Sequence, residues 1–196
     1  MTTKQEDVVR EMFVGSTHDT IIFFTNLGRA YKSRGFEIAA GSRFSKGTNV
    51  INLLPLMSGE KVTSMIRVRE FNDGEYMLMS TRNGTVKKTP IMDYANIRKS
   101  GVIAIITDEG DELESVVRTT GDDNIILATN RGKAIKFNEN DVRSMGRVTR
   151  GVRGIRLDED DYLIGMAVER ENATLLSVTE KGYGKRSQLG DYRLQT

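Results

Sequence analysis

Lys32, Lys88, Lys136 and Arg186 each stand four residues after the glycine of a Thr-x-x-Gly motif, at Gly28, Gly84, Gly132 and Gly182. Cations repeated at a fixed spacing can pair with a repeated anion, and the commonest such anion is nucleic-acid phosphate. The surrounding charge is uneven although the net charge is only +2. Between Gly28 and Gly47, Arg29, Lys32, Arg34, Arg43 and Lys46 stand against Glu37. Between Gly84 and Gly101, Lys87, Lys88, Arg98 and Lys99 stand against Asp93. Between Gly132 and Gly151, Lys133, Lys136, Arg143, Arg147 and Arg150 stand against Glu139 and Asp141. The acids gather instead at Asp108, Glu109, Asp111 and Glu112, and at Asp158, Glu159, Asp160 and Asp161, which predicts units with one basic and one acidic end. Lysines on outer strands also guard sheet edges, but edge protection can use either sign and does not explain basic loops at one end of every unit.

Other chemistries find less support. His18, the only histidine, stands beside Asp19 at the start of a strand, and one imidazole with no second ligand favours a structural residue over a metal or acid–base site. Gly182-Tyr183-Gly184-Lys185-Arg186 falls short of a phosphate loop, because Thr179 stands where the pattern needs glycine and Arg186 where it needs Ser or Thr. The acidic run at Asp158 lacks the ligand spacing of a calcium loop, and no nucleophile motif is present. With no cysteine there is neither a disulfide nor a thiolate metal site. No stretch approaches a membrane span, and Met1 to Asp7 has no apolar signal region, so a soluble cytoplasmic chain is expected.

The cations must be positioned by strands. Each Thr-x-x-Gly follows an apolar run: Ile21 to Phe24, Tyr76 to Met79, Ile125 to Ala128 and Leu175 to Val178. Apolar run, turn and alternating strand make a β-hairpin. The four glycines are spaced 56, 48 and 50 residues apart, a propeller-type period. The first full unit reads as a strand to Thr25, a strand Arg29 to Lys32, a basic loop, a strand Val50 to Leu54, a turn at Ser58-Gly59-Glu60 and a strand Val62 to Val68. The second continues through Val86 to Lys88, Val102 to Ile106 and Leu113 to Arg118, and the third through Gly151 to Leu157 and Tyr162 to Val168. Glu11 to Thr17 reads as the last strand of an earlier unit, and helix is unsupported, since Ile91 to Ile97 is too short to stand alone. The expectation is all-β: a pinwheel, or propeller-like, array of four-stranded antiparallel blades, about three and a half of them. The divisions are 1–17 as the end of a preceding blade, 18–72, 73–120 and 121–170 as blades, and 171–196 as the first half of another. A two-sheet sandwich would not require the loops to recur in register.

Five motifs, taken in order, carry a resemblance. Asn52-Leu53-Leu54-Pro55-Leu56, Asn83-Gly84-Thr85-Val86-Lys87-Lys88-Thr89, Gly110-Asp111-Glu112-Leu113, Gly151-Val152-Arg153-Gly154-Ile155-Arg156-Leu157 and Gly182-Tyr183-Gly184-Lys185-Arg186 together resemble the C-terminal domain of the bacterial DNA gyrase A subunit. That family's domain is a β-pinwheel whose basic perimeter wraps DNA. The resemblance implies a non-catalytic, sequence-nonspecific DNA-wrapping part of a type II topoisomerase that introduces negative supercoils. It would place DNA contacts on Arg29, Lys32, Arg43, Lys46, Lys87, Lys88, Lys133, Lys136, Arg150, Arg153, Lys185 and Arg186. It implies duplex DNA as a partner, the rest of the gyrase A subunit with the gyrase B subunit in an A2B2 assembly, and no membrane. No cofactor is implied for this chain; ATP and Mg belong to the whole enzyme. The family's Gln-Arg-Arg-Gly-Gly-Lys-Gly box has only a looser counterpart here, Ser42 to Gly47, and Tyr31 and Tyr183 inherit no catalytic role. The sister domain of the topoisomerase IV A subunit is the related alternative. A propeller-like scaffold for an acidic protein partner is the alternative from another class.

Overall fold

The computed structural model describes residues 9, 11–42 and 45–195. Its strands, in chain order, are β1 Thr20–Thr25, β2 Arg29–Arg34, β3 Val62–Val68, β4 Tyr76–Thr81, β5 Thr85–Pro90, β6 Val102–Ile103, β7 Leu113–Thr119, β8 Asn124–Thr129, β9 Ala134–Asn138, β10 Val152–Arg153, β11 Leu163–Val168, β12 Thr174–Val178, β13 Gly184–Gln188 and β14 Leu194–Gln195. They build three four-stranded sheets, ordered β3-β1-β2-β6, β7-β4-β5-β10 and β11-β8-β9-β14, followed by the β12-β13 pair.

The turn motif explains its own spacing. In each hairpin the glycine N–H donates to the threonine carbonyl, at 2.9 Å for Gly28 and Thr25 and 3.0 Å for Gly84 and Thr81. The threonine hydroxyl then accepts the N–H of the residue after the glycine, at 3.2 Å from Thr85 to Thr81, Lys133 to Thr129 and Tyr183 to Thr179. A threonine three residues before a glycine thus accepts two successive N–H groups of the turn, the first on its carbonyl and the second on its hydroxyl. Gly28 and Gly84 have φ of +70° and +84°, where a side chain is strained.

Strands buried on both faces read as continuous apolar runs, and β1 is buried at all six positions. The alternation of side chains distributes β4 between two cores. Met77 and Met79 pack with Ile22, Phe24 and Val116 in the seam toward the first sheet. Leu78 packs with Ile125, Leu127 and Phe137 in the seam toward the third. Phe24 and Tyr94 meet edge to face at 5.5 Å in the first seam. Each such side chain contributes about 1.5–3 kcal/mol when fully removed from water.

Four strand expectations are corrected. Val50–Asn52 is a 3-10 turn, started by the Asn49 side chain accepting the Ile51 N–H, and Val50 and Leu53 cover Ile21, Phe23 and Tyr31 on the outer face of the first sheet. The strand expected over Val102 to Ile106 is only β6, and it belongs to the first sheet: Val102 pairs with Ala30 and Ile103 with Arg29. Gly151 to Leu157 likewise contributes only β10, which pairs with Val86 and Thr85 of the second sheet. Each of these sheets is therefore closed by a strand from the next unit. Gly28 and Gly84 receive the crossing chain, their carbonyls accepting from Ala104 and Ile105 and from Gly154 and Ile155. No strand forms at Glu11 to Thr17, and Ile91–Tyr94 is a 3-10 turn.

Candidate nucleic-acid interface

The fixed offset from the turn glycine does give the cations one register. Lys32, Lys88, Lys136 and Arg186 lie opposite Ile22, Leu78, Ile126 and Leu176 on the paired strand. The shared face, however, is turned toward the next unit. Lys32 Nζ donates to the Ala95 carbonyl at 2.7 Å. Lys88 Nζ reaches the Glu139 carbonyl at 3.3 Å and its carboxylate at 3.0 Å, 4.4 Å above the Tyr76 ring. Lys136 Nζ reaches the Leu189 carbonyl at 3.2 Å and Glu169 at 2.5 Å. In each case the ammonium sits at a 3-10 turn, or the residue after it, of the following unit. Hydrogen bonds from Lys136 and Asn124 hold the Glu169 carboxyl below the usual carboxylate range.

The predicted row of phosphate-facing cations is thereby corrected. Lys88 and Lys136 are buried, Lys32 is partly covered, and only Arg186 is exposed. Lys87 is also buried and donates to the main-chain carbonyls of Ala104, at 2.5 Å, and Arg147. Arg29 is half-covered, its guanidinium held by the Tyr31 hydroxyl and the Ser100 carbonyl. Lys133 and Arg150 are exposed but ion-paired, with Asp158 and, at 2.9 Å, with Asp108. Arg43 lies outside the described residues.

Acid and base thus interleave, contrary to the expected two-ended charge. One carboxylate of each acidic turn is buried and clasps a hairpin. Glu60 accepts from the Thr25 and Tyr31 hydroxyls at 2.7 and 2.8 Å, Asp111 from the Asn83 N–H at 2.9 Å, and Asp161 from the Arg131 N–H at 3.3 Å. Burial pushes the Tyr31 hydroxyl above its usual pKa; Arg29 pulls it down and Glu60 adds to the rise.

Of the predicted contacts, Lys46, Arg153, Lys185 and Arg186 remain exposed with no carboxylate partner among the described residues. Arg153 stands on β10, the outermost strand of its sheet. Arg98, Arg143 and Arg156, on the connections flanking β6 and β10, are exposed in the same way, and Lys99 is exposed within electrostatic reach of Glu37. The charge of the basic loops flagged Arg98, Lys99 and Arg143, but they lie outside the motifs from which contact residues were assigned. His18 is exposed, and no cluster of metal-ligating side chains occurs among the described residues.

Stacked four-stranded units, closed by exchanged strands and carrying unpaired cations along the outer connections, define a propeller-type repeat domain. The chain belongs to the DNA gyrase C-terminal domain, beta-propeller family, which matches residues 19–69, 75–120, 123–168 and 173–196. It is 49% identical to the DNA gyrase A subunit of Clostridium acetobutylicum over 195 residues, all of this chain and 24% of that protein. Its identity to the Escherichia coli DNA gyrase A subunit is 40% over 189 residues, 96% of this chain and 22% of that protein. The chain therefore spans about a quarter of the length of these relatives. A solved DNA gyrase A C-terminal domain superposes with a TM-score of 0.79 at 30% identity, covering 93% of this chain and 58% of that one. A topoisomerase IV C-terminal domain superposes with a TM-score of 0.83 at 28% identity, covering 92% and 56%.

Proposed function

We propose that this chain binds and wraps duplex DNA without sequence preference, as part of a gyrase A subunit. The observation that carries this reading is the set of exposed cations without a carboxylate partner among the described residues: Lys46, Arg98, Arg143 and Arg156 on the connections, Arg153 on β10, and Lys185 and Arg186 on β13. Side chains of this kind pair with phosphate and read no base edge, so they favour backbone geometry over sequence. In this reading the chain is non-catalytic and works in the cytoplasm, at the nucleoid. The rest of the gyrase A subunit, with the gyrase B subunit in an A2B2 assembly, supplies DNA cleavage and the Mg- and ATP-dependent steps that make negative supercoils.

Titration with duplex DNA at two salt concentrations tests the reading. Neutralising six or more phosphates predicts a loss of roughly 10³-fold in affinity between about 50 and 200 mM salt, for any sequence. No binding to DNA, with retention of an acidic protein from the same mixture, would replace it with the scaffold reading.

A further inference from the structure

A groove of about 390 Å³ lies between two successive crossing connections, the one that leads into β6 and the one that precedes β10. Asn96, Arg98, Ser100 and Ile103 form one wall, and Arg147 and Val148 another. No acid lines it. A second groove, beside β10, differs: Asp108 and Asp111 line it, and Asp108 neutralises its Arg150 at 2.9 Å. In the first groove Arg147 has no carboxylate within 4.0 Å among the described residues, and its Nη1 is buried with no hydrogen-bond partner.

A third cation stands behind the wall. Lys87 is fully buried and its ammonium is bonded to the carbonyls of Arg147 itself and of Ala104, the neighbour of Ile103. Burial lowers its pKa to about 8; Asp93 offsets part of the fall, and Arg147 adds to it. A buried guanidinium N–H without an acceptor is a costly group, and a second buried cation beside it raises the local potential further. An anion placed in the groove would meet Arg98 and the solvent-facing part of the half-buried Arg147, and would offset the positive potential there.

We propose that this groove is a discrete phosphate-binding site, with Arg147 and Arg98 as the ligands of one phosphate group. Guanidinium forks suit a tetrahedral oxyanion, and a groove of about 390 Å³ has room for one. It rests on the DNA-binding reading only for the phosphate's owner: the group belongs to a DNA backbone or is free inorganic phosphate.

The test has two arms, each run on the wild-type chain, Arg147→Met and the exposed variant Arg98→Met. In the first, thermal melts compare inorganic phosphate with chloride at equal ionic strength. In the second, duplex DNA affinity is measured over a salt series. A site for a DNA phosphate predicts that each variant flattens the slope of log affinity against log salt by about 0.9. A free-phosphate site predicts a phosphate-dependent rise in melting temperature that both variants abolish, with the DNA slope unchanged. Arg98→Met removes an exposed side chain and keeps the test valid if Arg147→Met does not fold. Wild-type slope and melts in Arg98→Met, with DNA binding intact, would overturn the site while leaving the proposed function standing. Absence of DNA binding by the wild type would remove that function, and the melts would still decide the site.

Discussion

Lys87 and Lys88 are adjacent, equally hidden from water and differently compensated. Lys88 faces the buried carboxylate of Glu139, whose other bonds come from the Thr119 hydroxyl and the N–H groups of Gly121 and Asp123. Removing one partner of such a pair strands the other, so Lys88→Met is expected to cost about 3–5 kcal/mol in chemical denaturation. Arg186→Ala, at the same register but exposed, should stay within about 0.5 kcal/mol. Equal costs would mean that the lysine does not join one unit to the next. Lys87 has only carbonyl partners, and its depressed pKa makes stability depend on pH. Below about pH 8 the ammonium is charged in both folded and unfolded chain, and its desolvation opposes folding in full. As pH rises from about 8 toward 10 the folded lysine releases its proton while the unfolded one, with an ordinary value of 10.5, keeps it. The unfolded state then binds more protons, so stability climbs over this window. The denaturant midpoint should therefore increase from pH 8 toward 10 in the wild type and show no rise in Lys87→Met, where Asp93 and Arg147 remain in place. Above pH 10 the gain reverses, because burial holds the Tyr94 hydroxyl well above its usual pKa while the unfolded tyrosine ionises.

The hairpins form from local instructions, and the sheets are completed by distant ones. Gly28 illustrates both. Its positive φ serves the turn, and a Cβ there would stand 2.4 Å from the Ile105 carbonyl oxygen, where the crossing chain passes. Gly132 has a φ of +81° and open space around it. Gly132→Ala should therefore cost only the left-handed strain, about 1–2 kcal/mol, and Gly28→Ala clearly more. Hydrogen exchange at Ala104 and Ile105, whose N–H groups bond the Gly28 carbonyl, should accelerate in Gly28→Ala and not in Gly132→Ala. Equal costs with unchanged exchange would contradict the role given to the crossing chain. The same division explains what the sequence made legible. Apolar run, threonine and glycine lie within about ten residues and declare a hairpin together with its register. Nothing local says that Val102 pairs with Ala30 of the preceding unit, because a strand's composition does not name its partner. Val50, Ile51 and Leu53 are apolar enough for a strand, yet the segment folds as a turn whose Val50 and Leu53 cover Tyr31, a demand set by an exposed sheet face. The lysine row shows the same limit: a constant offset fixes which side of the strand a cation occupies, and only the stacking decides whether that side meets water.

At the scale of the molecule, the first three units share cores across their two seams, their lysines reach the turns of the units that follow, and a strand of the next unit closes each of the three sheets, β14 pairing parallel with β9 in the third. The unneutralised charge is left to the outer connections. This separates two sets of cations that look alike in sequence. Lys88 and Lys136 hold one unit against the next, with Lys32 in the same register; Lys46, Arg153, Lys185 and Arg186 face solvent without a carboxylate partner among the described residues. The most direct test of that separation is a salt series of duplex DNA binding on two multiple variants, with melts alongside. If the exposed four each neutralise one phosphate, replacing all four with alanine flattens the slope of log affinity against log salt by roughly 3.6 and leaves the melting temperature nearly unchanged. Replacing Lys32, Lys88 and Lys136 with methionine lowers the melting temperature and, below it, leaves the slope at the wild-type value. A full slope in the first variant, or a slope lowered by about 2.7 in a stably folded second variant, would contradict the account and return DNA contact to the lysines of the seams.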